Sequence, residues 1–187
     1  MLKDIVMKSR SIRRFDESAA IARRTLEQLV DIVRYCPSGG NKQPLRYLLI
    51  DDRRTNALVF PCISWAGHLK DWPGPDVGQR PAAYVILLGD TSITTTFGVD
   101  HGIAAQTLML AAAERGLGGC IIGAMNRSRL RRALAIDSRY ELLLMVALGV
   151  PAEAVTVDSI DASGDTRYYR GADGIHHVPK VCTAQLM

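Results

Sequence analysis

The stretch DHGIAAQTLMLAAAERGLGGCIIG, residues 100–123, decides the fold. Asp100 reads as the cap of a helix from His101 to Arg115, and Gly116 as the residue that ends it. Ile103, Ala104, Ala105, Leu108, Met109, Leu110 and Ala111 leave that helix apolar on nearly every side. Such a helix must be buried all round, and in a chain of 187 residues this predicts a subunit interface as well as a core. Cys120 to Ile122 reads as a short strand. The glycine fingerprint of dinucleotide folds follows a strand and opens a helix. Gly116, Gly118 and Gly119 follow a helix and open a strand, which excludes that fold. They read either as a helix end and tight turn, or as backbone that lets a flat ligand come close.

Around this centre the pattern gives a single domain over residues 1–187. A short helix is expected from Leu2 to Lys8. A second starts near Thr25, where Thr25 and Gln28 fit a capping box and Leu26, Leu29, Val30 and Val33 form one apolar face. Pro37 and Gly39-Gly40 end it. Leu45 to Ile50 and Ala82 to Leu88 read as strands, and Asp52 to Phe60 as a helix. Asn126 caps a small basic helix ending near Leu134. Leu142 to Leu148 is a continuous apolar run, as in strands buried on both faces. Cys62 to Arg80 holds both tryptophans and Trp72-Pro73-Gly74-Pro75, so it reads as a long loop, functional or mobile. After Pro151 the chain turns polar and irregular, with little to pack against itself, and is expected to fray or to wrap around a partner.

The net charge of +4 is mild. Its basic clusters, Arg10 to Arg24 and Arg127 to Arg132, lack interleaved stacking aromatics, so no nucleic-acid partner is expected. Cys36, Cys62, Cys120 and Cys182 include no CxxC pair, which argues against zinc, iron–sulfur and thioredoxin-type chemistry and for reduced thiols in the cytoplasm. His176 and His177 are adjacent, whereas a metal pair on one face needs a spacing of two, three or four; no metal is expected. No run of about 20 apolar residues crosses a membrane. Neither GxSxG nor HExxH occurs.

Two stretches carry the remaining chemistry. Arg10-Ser11-Ile12-Arg13 offers two guanidinium groups and a hydroxyl, a set suited to phosphate. Pro37-Ser38-Gly39-Gly40-Asn41-Lys42-Gln43-Pro44 concentrates small residues and amides between a helix and a strand, and amides suit the mixed edge of a heterocycle.

Taken with Gly116 to Gly123 and the basic end His176-His177-Val178-Pro179-Lys180, these segments resemble the nitroreductase family. The family opens with R-S-x-R and an aromatic, here Arg10 to Phe15. It carries P-S-x-x-N-x-Q-P, here Pro37 to Pro44, and then G-L-G with a turn containing I-G. The order and spacing match over essentially the whole chain. Three positions depart from the pattern: Leu45 where many relatives have an aromatic, Val181 where many have Arg, and His101 at an expected apolar site.

The resemblance implies an α+β fold with a central mixed β-sheet flanked by helices. It also implies an extended C-terminal tail embracing the partner subunit of a homodimer, with one FMN at each of two interface sites. Arg10, Ser11 and Arg13 would hold the FMN phosphate and ribityl end, with Lys180 nearby. Pro37, Ser38 and Gly39 would come from the other subunit, supported by Asn41 and Gln43. Ile122 and Gly123 would present backbone N–H to the flavin, and no side chain need act as acid or base. Trp65 and Trp72 would line the substrate pocket. The expected activity passes electrons from NAD(P)H to a nitroaromatic, quinone or similar acceptor, with the two taking turns at one flavin face. A flavin-binding protein without NAD(P)H turnover and reductive dehalogenation are the alternatives.

Overall fold

The computed structural model describes residues 1–160 and 164–187. The chain opens with α1 (Leu2–Lys8), a two-residue strand β1 (Phe15–Asp16) and α2 (Arg23–Val33). Then come β2 (Leu45–Ile50), α3 (Arg53–Val59), β3 (Ala83–Asp90), α4 (Asp100–Glu114), β4 (Gly118–Ile122), α5 (Arg127–Ala133) and β5 (Tyr140–Pro151). The C-terminal segment adds β6 (Val155–Ser159), β7 (Tyr169–Arg170) and β8 (His176–Lys180). Among the described residues no helix is long and apolar enough to cross a membrane.

β5 is the hub of a five-stranded sheet. It pairs with β3 along Tyr140 to Leu148, with β4 along Met145 to Gly149, and with β1 at Val150 and Pro151, while β2 closes the far edge beside β3. These ladders are antiparallel; parallel pairing enters at the Ser11–Gly119 bridge and between β6 and β8. All eight residues of β3 are buried. Its side chains alternate between two cores, as the strand period dictates. Tyr84, Ile86 and Leu88 join Phe15, Leu130 and Met145, and Ala83, Val85 and Leu87 join Leu26, Leu29 and Leu108. The second core lies under α2 and α4. The first holds residues of α5 and of the 62–80 loop. Helices therefore cover both faces of a central sheet, in an α+β fold.

Local signals place several elements as expected. β2 has the predicted bounds, Asp52 caps α3 by accepting the Thr55 N–H at 2.8 Å, and Asn126 caps α5 by accepting that of Arg129 at 3.0 Å. Three expectations are corrected. α2 begins at Arg23, and Thr25 already sits in its first turn with its N–H bonded to the Ala22 carbonyl, so Thr25 is not a cap. Asp100 is the first residue of α4, and its carboxylate turns away to Ser38 and Gly39. The segment after Pro151 does find partners in its own chain. β8 lies between β6, which it joins in parallel, and β7, which it joins antiparallel, and Tyr169 stacks on His177 with ring centroids 4.7 Å apart. On α4 the chain itself buries Ala104, Ala105, Leu108, Met109, Ala111 and Ala112; Ile103 and Leu110 stay half-buried and Gly102 and Gln106 exposed.

The 118–123 glycines divide by role. A Cβ on Gly119 would lie 2.7 Å from the Met109 sulfur and 2.9 Å from the Ala147 carbonyl oxygen; one on Gly118 would lie 2.7 Å from Ile12. These two glycines let β4 approach α4, β5 and the N-terminal segment. On Gly123 the nearest atom would be Leu144 Cδ2 at 3.6 Å, an ordinary contact. Gly119→Ala should therefore destabilise by about 1–3 kcal/mol, the usual range for overpacking. Gly123→Ala should stay within about 0.5 kcal/mol. Urea midpoints of the two variants measure the contrast; equal midpoints would mean that β4 can shift away from α4.

Candidate functional site

The segment from Arg10 to Phe15 runs alongside β4. The Ile12 N–H donates to the Gly119 carbonyl at 2.8 Å, and Ile12 and Phe15 are buried. Buried Ile12 leaves Ser11 and Arg13, its neighbours on either side, to face outward. Backbone N–H groups of Arg13 and Arg14 need acceptors, and one carboxylate serves both. Glu153 Oε1 accepts from Arg13 N at 2.5 Å and from Arg14 N at 3.2 Å, while its Oε2 accepts from Arg170 at 2.9 Å. Arg170 in turn lies over the Trp72 ring at 4.9 Å, and Arg14 at 5.8 Å.

Outside this anchor lies a cleft of about 330 Å³ walled by Arg10, Ser11, Arg13 and Lys180, with Tyr168 and His176 from the C-terminal segment. Among the described residues no acidic one lines it. Three cations and a hydroxyl facing one space suit a phosphate. Arg10 donates to the Val6 carbonyl at 2.7 Å, and its buried Nε has no protein partner. The Arg13 guanidinium donates to the Ser11 carbonyl at 3.3 Å and to His176 Nε2 at 3.1 Å, and its carbon sits 4.9 Å from the Tyr168 ring centre. His176 is 1% exposed. Burial, and then the positive charge of Arg13, push its pKa down to about 4. It is therefore neutral at ordinary pH and can accept from Arg13.

A second cleft of about 240 Å³ shares Arg13, Ile121 and Tyr168 with the first, so the two are contiguous. Ile122, Gly123, Cys120 and Trp65 line it. Burial raises the Cys120 pKa, which keeps the sulfur a thiol. Trp65 is 8% exposed and packs on Gly74, where even a Cβ would meet its ring at 2.5 Å. Trp72 does not join Trp65 here; it sits beneath Arg14 and Arg170.

The 37–44 loop belongs to a third cleft of about 160 Å³, lined by Pro37, Ser38, Gln43 and Asp100, which shares no residue with the other two. Ser38 Oγ donates to Asp100 Oδ2 at 2.6 Å and accepts the Gln43 N–H at 3.0 Å; the Gly39 N–H donates to Asp100 Oδ1 at 3.0 Å. Gly40, Asn41 and Gln43 all have positive φ, at 58°, 52° and 49°. Asn41 and Gln43 are joined at 3.1 Å and exposed. The structure thus brings Arg10, Ser11, Arg13, Lys180, Ile122, Gly123 and Trp65 together. It keeps Pro37, Ser38, Gly39, Asn41 and Gln43 apart from them. Glu153, Asp100, Tyr168 and His176 anchor or line these clefts, and sequence reasoning gave none of them that place.

The model of the nitroreductase family matches residues 6–150. The 4-nitrobenzoate reductase of Pseudomonas putida is 24% identical over 202 residues, covering 84% of this chain and 88% of its own length. The iodotyrosine deiodinase of Thermotoga neapolitana is 23% identical over 169 residues, covering 81% and 89%. The FMN-dependent nitroreductase of Clostridium difficile R20291 shares the fold, with a TM-score of 0.67 at 19% identity over 90% of this chain and 97% of that one.

The buried imidazole makes stability depend on pH. A folded pKa of about 4 lies below the ordinary imidazole value of 6.5, so the unfolded chain binds the proton first. His176 favours the fold fully above about pH 6.5, and this contribution is lost as pH falls from there towards 4. The depressed carboxylates Asp90 and Asp165 act below that window, since their ordinary value is 3.8. The melting temperature of wild type should decline between pH 6.5 and 4 more steeply than that of His176→Gln. Parallel profiles would mean that the ring titrates normally.

Proposed function

Because the chain belongs to the nitroreductase family, we propose that it is an FMN-dependent oxidoreductase that passes electrons from NAD(P)H to an oxidised small-molecule acceptor. The observation that carries this reading is the convergence of Arg10, Ser11, Arg13 and Lys180 on one cationic cleft, contiguous with the cleft that ends at Ile122 and Gly123. The cationic cleft fits the FMN phosphate, and the strip beside Gly123 fits its ring, where added bulk finds only Leu144 nearby. Bound flavin would supply the two-electron hydride chemistry between nicotinamide and acceptor.

The chain's own groups bind and orient. Arg10, Arg13 and Lys180 neutralise the phosphate and Ser11 adds a hydroxyl. Backbone N–H groups at Ile122 and Gly123 stabilise negative charge on the reduced ring edge. Trp65 forms a wall of the acceptor space. The thiol of Cys120, raised in pKa, does not act as a nucleophile. Pro37, Ser38 and Gly39 of a second copy would complete the ring site, with Asn41 and Gln43 bracing them from behind. That assignment is supported by the separation of the 37–44 cleft from the other two, and by the half-buried Ile103 and Leu110 on α4. The working unit is then a homodimer. We place it in the cytoplasm, where its four free cysteines stay reduced. Likeness to a deiodinase at almost the same identity as to a nitrobenzoate reductase favours reductive dehalogenation as the second reading. Anaerobic NADH should bleach the flavin spectrum. Turnover of a nitroaromatic against an iodophenol then separates the two activities.

Arg13→Ala should weaken FMN binding about 10- to 100-fold, the equivalent of one charged hydrogen bond of about 1.5–3 kcal/mol. Unchanged affinity in both Arg10→Ala and Arg13→Ala, measured by fluorescence quenching, would remove the phosphate assignment. Nicotinamide must lie with its reacting carbon roughly 3–3.5 Å from the flavin, in the space that a flat acceptor also needs. Initial rates at several fixed acceptor concentrations should give parallel double-reciprocal lines. Intersecting lines would show two separate binding places.

A further inference from the structure

Resting on the reading that the cationic cleft takes a flavin phosphate, we propose that His176 and Tyr168 are positioning residues that hold the Arg13 guanidinium in its phosphate-binding orientation. An arginine on an open surface samples many rotamers, and binding an anion must fix one of them. Arg13 has a single contact within its own segment, to the Ser11 carbonyl at 3.3 Å. The C-terminal segment adds two more: His176 Nε2 at 3.1 Å accepts one N–H, and the Tyr168 ring covers one face at 4.9 Å. Tyr168 is itself braced, because its hydroxyl accepts from the His68 N–H at 3.3 Å and its ring meets the His68 ring at 4.8 Å.

The choice of partner matters. Among the described residues no carboxylate forms a salt bridge with the Arg13 side chain. Glu153, which faces this cluster, is committed to two backbone N–H groups and to Arg170. A carboxylate on Arg13 would cancel the charge that a phosphate must find. A neutral imidazole fixes the direction and leaves the charge intact. Burial first, and then the charges of Arg13, Arg170 and His177, keep His176 neutral against the opposing pull of Glu153.

A role through Arg13 differs from general support of the fold in one readout, discrimination between FMN and riboflavin, which lacks the phosphate. The full chain, freed of bound flavin, is titrated with each by fluorescence quenching. His176→Leu and Tyr168→Leu should each weaken FMN about 5- to 10-fold and riboflavin less than about twofold. His176→Gln, which keeps an acceptor, should recover most of the loss. In the Arg13→Ala background, His176→Leu should cost nothing further, because coupled residues are non-additive. Equal losses for both flavins, additive effects in the double variant, or no loss would each overturn the proposal. Should His176→Leu not fold, Tyr168→Leu at a half-buried position makes the same comparison. If Arg13→Ala itself leaves the preference for FMN unchanged, the phosphate reading of the cleft fails and the positioning role with it. If Arg13→Ala abolishes that preference while the His176 and Tyr168 variants keep it, only the positioning role fails.

Discussion

The Glu153 carboxylate, with its side chain 2% exposed, accepts from the backbone of Arg13 and Arg14 and pairs with Arg170. A buried charge persists only when its lone pairs are met, and here three donors meet them. The consequence reaches both ends of the chain. The N-terminal segment is fixed to the turn between β5 and β6, with the Ala152 N–H donating to the Arg14 carbonyl at 2.9 Å. The C-terminal sheet is fixed through Arg170, and the His176 N–H reaches the Ala154 carbonyl at 2.9 Å. Without this junction the cationic cleft would lose one wall, since Arg10, Ser11 and Arg13 come from one end of the chain and Tyr168, His176 and Lys180 from the other.

The register of β8 follows from that junction. His176, Val178 and Lys180 are two apart, share a strand face and all line the cleft. His177 takes the opposite face, pairing with Asp158 at 2.8 Å and stacking on Tyr169. The adjacency that argues against a metal pair in the sequence therefore has a positive meaning: the two imidazoles serve different sides of one strand. Val181 lies beyond β8, so its departure from the family's arginine leaves the strand itself unaltered.

Elements with local signals were legible. Asp52 and Asn126 carry their caps within three residues, Leu45 to Ile50 is bounded by Pro44 and Asp51, and the apolar face of α2 is periodic. The cationic cleft was legible too, because Arg10, Ser11 and Arg13 lie within four positions, and Lys180 came with the family pattern. What escaped depends on distant partners. Asp100 looks like a cap until its Oδ2 is found on Ser38, 62 positions away. The polar tail looks unpackable until Glu153 finds Arg13, 140 positions away. Gly118 and Gly119 suggest close approach to a ligand, yet the atoms that crowd them are Ile12, Met109 and Ala147 of the protein itself. Periodicity cannot report a partner across such separations.

α4 explains why the predicted residues fall into two groups. Its N-terminal residue Asp100 holds the 37–44 loop, and Ala104 walls the cleft there, while Gln106 and Met109 wall the cationic cleft. Ala104 and Gln106 are two residues apart, which is about 200° around a helix of 3.6 residues per turn. The two clefts therefore open on opposite sides of a rod roughly 10 Å across. In the proposed site the cationic cleft and the Pro37 to Gly39 loop would come from two copies, each giving its cleft to one ring and its loop to the other. In the proposed dimer, the half-buried apolar residues Ile103 and Leu110 of α4 would face the second copy.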